Sequence, residues 1–130
     1  MNARQVAELG RDEALALLAS VDLGRIVFTE HALPAIRPVN HILDGEDVII
    51  RTHPAAALKA SINTVVAYEA DDIDTKTRTG WGVIVTGVVR AVSDPEAVAR
   101  YERVLHPWAD STMDQILRIH AELVTGFAVT

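Results

Sequence analysis

A chain of 130 residues that is 49% apolar, carries a net charge of −6 and contains no cysteine has room for one domain with one core, and none for disulfides or thiolate chemistry. No apolar run approaches the ~20 residues of a membrane span, and the start (Met1-Asn-Ala-Arg-Gln5) lacks the apolar stretch of a secretory signal, so a reducing cytoplasm is the simplest compartment. The acidic balance argues against broad attraction to nucleic acid, and an anionic ligand must be held by a local cluster of positive charge.

Residues 3–20 read as a helix, most clearly from Asp12, which can cap its start ahead of Leu15, Leu17 and Leu18. Residues 24–29 form a first strand. Residues 35–43 and 47–52 form two more, with Asp44-Gly45 between alternating apolar runs as a strong hairpin signal. An alanine-rich helix over 54–62 follows, with Pro54 acceptable in its first turn. Residues 64–70 read as a strand, 71–74 as an acidic loop, and 80–92 as a long strand. Asp94-Pro95 opens a helix to about residue 105, with Asp94 as N-cap and Pro95 at the first helical position. His106-Pro107-Trp108 ends it, and Trp108 can plug a barrel end. Residues 116–119 and 124–129 read as extended, although 113–119 can begin as helix. Short helices among antiparallel strands, without a βαβ rhythm, predict a mainly β barrel with peripheral helices.

The hairpin carries the main chemical signal. An even loop puts Arg37, Val39 and His41 on one sheet face with Val48, Ile50 and Thr52. A two-residue loop at Asp44-Gly45 places Arg37 directly beside Thr52, where the helix bearing Lys59 begins. Guanidinium, hydroxyl and ammonium then converge, a combination suited to phosphate. The plainer alternative is a set of ordinary surface residues, with Arg51 on the opposite face. Pro38 removes a ladder donor and marks an edge or bulge, and Asn40 supplies an amide that both donates and accepts.

Thr79-Gly80-Trp81-Gly82 lets backbone approach a flat ligand beside the indole, or simply begins a strand with a core tryptophan. The five histidines lack the pairing of a zinc site, and the run Glu69, Asp71, Asp72, Asp74 lacks the glycine and glutamate of a calcium loop. No serine sits in a nucleophile elbow, so hydrolase chemistry has no support.

With these features in view the chain resembles the pyridoxamine 5′-phosphate oxidase-like, FMN-binding split-barrel superfamily. The resemblance rests on Leu23-Gly-Arg-Ile-Val-Phe-Thr29, Ile36-Arg-Pro-Val-Asn40, Asp47-Val-Ile-Ile-Arg-Thr52 with Lys59, and Gly80-Trp-Gly-Val-Ile-Val-Thr-Gly87. It implies a six-stranded antiparallel Greek-key split β-barrel and a two-fold homodimer with the cofactor between subunits. It implies phosphate contacts from Arg37, Thr52 and Lys59, with Arg51 beside them. Pro38, Val39, Asn40 and Ile50 would lie along the ring, and Trp81 and Gly82 would shape the site from the partner subunit. FMN is the implied cofactor, with the deazaflavin coenzyme F-420 as alternative. The activity so implied is hydride transfer to or from a small organic substrate. A non-catalytic module for a flavin, haem or other flat ligand is the competing reading. Two departures argue against oxidation of pyridoxamine phosphate itself. A glutamine usual on the long strand is replaced near Trp81-Gly82, and the chain stops at Gly126-Phe-Ala-Val-Thr130 without the oxidases' C-terminal segment.

Overall fold

The computed structural model describes residues 4–52, 56–106 and 115–130. In chain order these form β1 (Val6–Glu8), α1 (Arg11–Ala19), β2 (Leu23–Glu30), β3 (Leu33–Asp44), β4 (Asp47–Thr52), α2 (Ala56–Ala60), β5 (Val65–Asp74), β6 (Thr79–Ala91), α3 (Pro95–Val104), β7 (Gln115–His120) and β8 (Leu123–Val129). All pairings are antiparallel. β6, β5, β2, β3, β4 and β7 pair in that sequence, and β7 returns to β6, so six strands close into a ring. Beyond the expected six-stranded barrel, the described residues form eight strands, because β8 pairs with the first part of β6 and β1 pairs with β8.

β6 is where the ring splits. Gly80–Thr86 pair with β8, whereas Val89–Ala91 pair with β7. Gly87 stands between the two stretches, and a Cβ there would overlap the His120 carbonyl oxygen. Only a glycine lets the two partner strands diverge this closely.

Three local expectations change. The predicted helix over 3–20 begins only at Arg11, with Gly10 as its N-cap and no side-chain cap, so Asp12 falls in the first turn. Residues before Gly10 instead satisfy the edge of β8, with Val6 opposite Val129 and the Leu9 amide donating to Gly126 O at 2.9 Å. The predicted acidic loop over 71–74 continues β5, with Asp71 opposite Gly82 and Asp74 opposite Thr79. The turn follows it, closed by Asp74 Oδ1 accepting from the amides of Lys76 (2.8 Å) and Thr77 (3.2 Å). The predicted helix over 54–62 is described only over Ala56–Ala60, and Pro54 and Trp108 lie outside the described residues. α3 matches its signals: Asp94 accepts from the Ala97 amide at 3.1 Å, with Pro95 in the first turn.

The main core fills the ring, where Ala14, Leu15 and Leu18 of α1 pack with Ile26, Tyr68 and Val85. A second cluster lies outside β4 and β7, where Ile49 and Ile116 meet Ala97 and Tyr101 of α3 and Leu105 just after it. Among the described residues no helix is long and apolar enough to cross a membrane.

Candidate functional site

Alternation along β3 sorts the predicted site residues. Val39 and His41 are buried and Arg37 is half-buried on the inward face; Ile36 and Pro38 are exposed on the outer face, with Asn40 half-buried beside them. On β4 Val48, Ile50 and Thr52 are buried inward, and Arg51 turns outward. His41 lies opposite Ile50, so the two strands share the face expected of them.

The register differs from the expected one by two residues. The loop is Gly45-Glu46, because glycine with φ 61° takes the first loop position, as in a type II′ turn. The β3–β4 ladder runs only from Asp44↔Asp47 to His41↔Ile50. Arg37 lies opposite Ile26 of β2 instead of beside Thr52.

Thr52 is the last residue of β4, and Arg37 lies near the middle of β3, on the part beyond the β3–β4 ladder and toward the end away from the hairpin tip. α2 packs near the same end: Leu58 is fully buried in the main core, and Ser61 Oγ donates to Thr29 O at 3.3 Å. Lys59 is exposed on this helix. Three successive elements, β3, β4 and α2, therefore carry Arg37, Thr52 and Lys59. Two cations and a hydroxyl suit an anionic group.

The remaining predicted residues have other surroundings. Val39 and Ile50 place their side chains in the core. Arg51 Nη1 donates to Leu105 O at 3.1 Å and Glu102 O at 3.4 Å, and Asn40 Nδ2 donates to His106 O at 3.3 Å. Both thereby tie the C-terminal end of α3 to the ring, where a cation also complements the helix dipole. Pro38 faces outward opposite Arg25. Trp81 packs partly buried against the main core, whereas Gly82 opens on the outer face.

A buried polar pair escaped the sequence reading. His41 Nε2 lies 2.8 Å from Leu18 O, and its Nδ1 lies 2.6 Å from Tyr68 Oη, the hydroxyl that is also 3.0 Å from Val39 O. A carbonyl only accepts, so Nε2 carries a proton and the pair ties α1 to β3 and β5. Burial lowers the His41 pKa, against the raising effects of Leu18 O and Asp22; burial raises that of Tyr68. Alternation marks each residue as inward, but nothing local signals that they meet.

The outer sheet face carries a second feature. Asp71, Gly82, Phe127 and Glu8 are successive cross-strand partners on β5, β6, β8 and β1. Gly82 has no side chain, so a trough of about 420 Å³ opens there. Glu69 reaches it from the next row, paired with Arg25 Nη1 at 3.0 Å; Asp71 stands 3.7 Å from the same nitrogen. Burial first, then the Asp71 carboxylate, raises the Glu69 pKa. With Glu8, Glu69 and Asp71 around it, the trough disfavours a phosphate. Among the described residues no group of three or more histidine or acidic side chains is arranged to hold a metal ion.

Residues 10–128 match the family model described as pyridoxamine 5′-phosphate oxidase. The uncharacterized protein Rv0080 of Mycobacterium tuberculosis is 54% identical over 134 residues, spanning 98% of this chain and 88% of the relative. The FAD binding protein from Mycobacterium smegmatis, of known structure, is 34% identical and superimposes with a TM-score of 0.76, covering 93% of this chain and 95% of that one. A FAD-binding protein from Mesorhizobium loti shares the fold at 17% identity, with a TM-score of 0.77 over 98% of this chain and 99% of that one.

Proposed function

We propose that this chain, which belongs to the pyridoxamine 5′-phosphate oxidase family of split-barrel proteins, is a flavin-dependent oxidoreductase acting on a small organic molecule. The observation that carries the reading is the match to that family over residues 10–128, and Arg37, Thr52 and Lys59 on three successive elements are the proposed phosphate contacts. FMN heads the candidates, with the deazaflavin coenzyme next; the FAD-binding relative adds FAD. The bound flavin supplies hydride chemistry, and the protein supplies placement and shielding from water. No general acid or base is assigned: His41 and Tyr68, whose pKa values are shifted chiefly by burial, are core residues bonded to each other and to backbone carbonyls.

The reading includes a homodimer. Ile36, Val27, Ala67, Thr86 and Leu123 are successive cross-strand partners, forming a mainly apolar stripe over five strands of the outer face. Ile36 is 65% exposed and Leu123 58%. Covering such a stripe with a second copy removes it from water.

A second reading, a carrier that holds its flavin without turnover, is favoured by the same lack of an assigned proton donor. Absorbance of freshly purified protein, followed by titration with FMN, FAD and the deazaflavin, tests binding. Reduction of the bound cofactor by a nicotinamide donor, followed by reoxidation, separates enzyme from carrier. A colourless protein that takes up none of the three ends both readings.

A further inference from the structure

We propose that the C-terminal end of α3 is a clasp across a fork between β3 and β4, with Asn40 and Arg51 as positioning residues for the phosphate contacts beyond it. The fork follows from the register. The β3–β4 ladder stops at His41↔Ile50, yet both strands run on. Past that rung, residues 33–40 stay paired with β2, while Arg51 and Thr52 stay paired with β7. The ring therefore opens a second time, and Pro38, which has no amide hydrogen to offer, stands on the β3 arm.

Asn40 and Arg51 are the first residues past the last rung, one on each arm, and both belong to the outer face. They meet the same object. Asn40 Nδ2 donates to His106 O at 3.3 Å; Arg51 Nη1 donates to Leu105 O at 3.1 Å and to Glu102 O at 3.4 Å. Arg51 Nη2 also stands 3.6 Å from Glu102 Oε2. The last carbonyls of a helix have no partner within it, so donors from two strands can grip one rigid end. Leu105 packs with Ile49 and Ile116, which seats that end on β4 and β7. Tyr101 Oη donates to Asp44 Oδ2 at 2.5 Å, so α3 is tied to the hairpin at both ends of its ladder. Arg37 and Thr52 lie on the inner faces of the two arms, and the spread of the fork sets their separation. A clasp on the outer face holds that spread without touching a ligand. This role rests on the proposed phosphate site, where its effect is read.

The test is fluorescence titration of FMN and riboflavin into the full chain and into Arg51→Ala, Leu105→Ala, the two combined, and Lys59→Ala. Leu105 lies outside the ring, so its truncation reaches the ligand only through the clasp. Arg51→Ala and Leu105→Ala should each weaken FMN at least about fivefold, as is typical of coupled sites. Riboflavin, which has no phosphate, should lose less. The combined variant should bind FMN as Arg51→Ala does, because both changes release one clasp. A loss in Arg51→Ala with none in Leu105→Ala would make Arg51 a direct contact and overturn the clasp. Additive losses, or equal losses of FMN and riboflavin, overturn it as well. If Lys59→Ala weakens FMN and the clasp variants do not, the phosphate site stands and the clasp falls; if Lys59→Ala changes nothing, the site itself fails and the role with it. Should Leu105→Ala not fold, Leu105→Val carries the same comparison with a smaller shift.

Discussion

Gly24 is where a single methyl group tests the packing of the ring most sharply. A Cβ at this position would stand 2.5 Å from Tyr68 Oη, 2.5 Å from Glu69 O and 2.6 Å from Tyr68 Cε1. Carbon contacts settle at about 3.5–4.0 Å, so something must move by roughly 1 Å. Glu69 O belongs to the β2–β5 ladder, in which Arg25 lies opposite Glu69. Tyr68 can withdraw only by stretching its 2.6 Å contact to His41 and its 3.0 Å contact to Val39 O. Overpacking costs about 1–3 kcal/mol, and weakening the hydrogen bond of the single Tyr68 hydroxyl proton adds about 1 kcal/mol. Gly24→Ala should therefore lose about 2–4 kcal/mol, against roughly 7–20 kcal/mol for a chain of this size. Urea unfolding followed by circular dichroism should show the midpoint falling by about 2 M at constant slope. Tyr68→Phe removes one clashing atom, so the double variant should cost less than the two single changes together. An unchanged midpoint in Gly24→Ala would refute the packing described for Tyr68.

Three further outcomes follow from the same structure. His41 has a folded pKa below its usual value of 6.5, so the unfolded chain takes up its proton first as pH falls. Its contribution is complete above pH 6.5 and is lost as pH falls through the folded pKa; urea midpoints at successive pH values should drop over that window, and His41→Gln should flatten the drop. Asp94→Ala removes the acceptor for the Ala97 amide and should cost about 1 kcal/mol, read from thermal or urea unfolding. Arg51→Ala removes the donor to Leu105 O and Glu102 O, so amides of α3 should exchange faster with solvent while those of β5 do not change.

The legibility of the sequence divides along a physical line. β4 and α3 could be read nearly to the residue, because strand alternation over Asp47–Thr52 and the Asp94-Pro95 start are local signals. Val6–Glu8 and Asp71–Asp74 were misread because their structure is set by partners: the former closes the edge of β8, and the latter lies against Gly80 and Gly82. The hairpin register depended on which loop position glycine would occupy, a choice of two residues that moved Arg37 away from Thr52. Alternation correctly put Arg37, Val39, His41 and Thr52 on inward faces. It could not show that Arg51 and Asn40 would reach the end of α3, or that four strands would align Asp71, Gly82, Phe127 and Glu8 in one row. Those facts belong to tertiary pairing.

The central claim is the proposal that Arg37, Thr52 and Lys59 hold the phosphate of a flavin. Fluorescence titration of FMN into the parent protein, Lys59→Ala and Arg37→Lys tests it most directly. A charge-assisted contact contributes about 1.5–3 kcal/mol, so Lys59→Ala should bind roughly ten- to a hundredfold more weakly. Arg37→Lys should also weaken binding, because the planar fork is lost. Equal affinity in all three proteins, with their folds intact, would contradict the account.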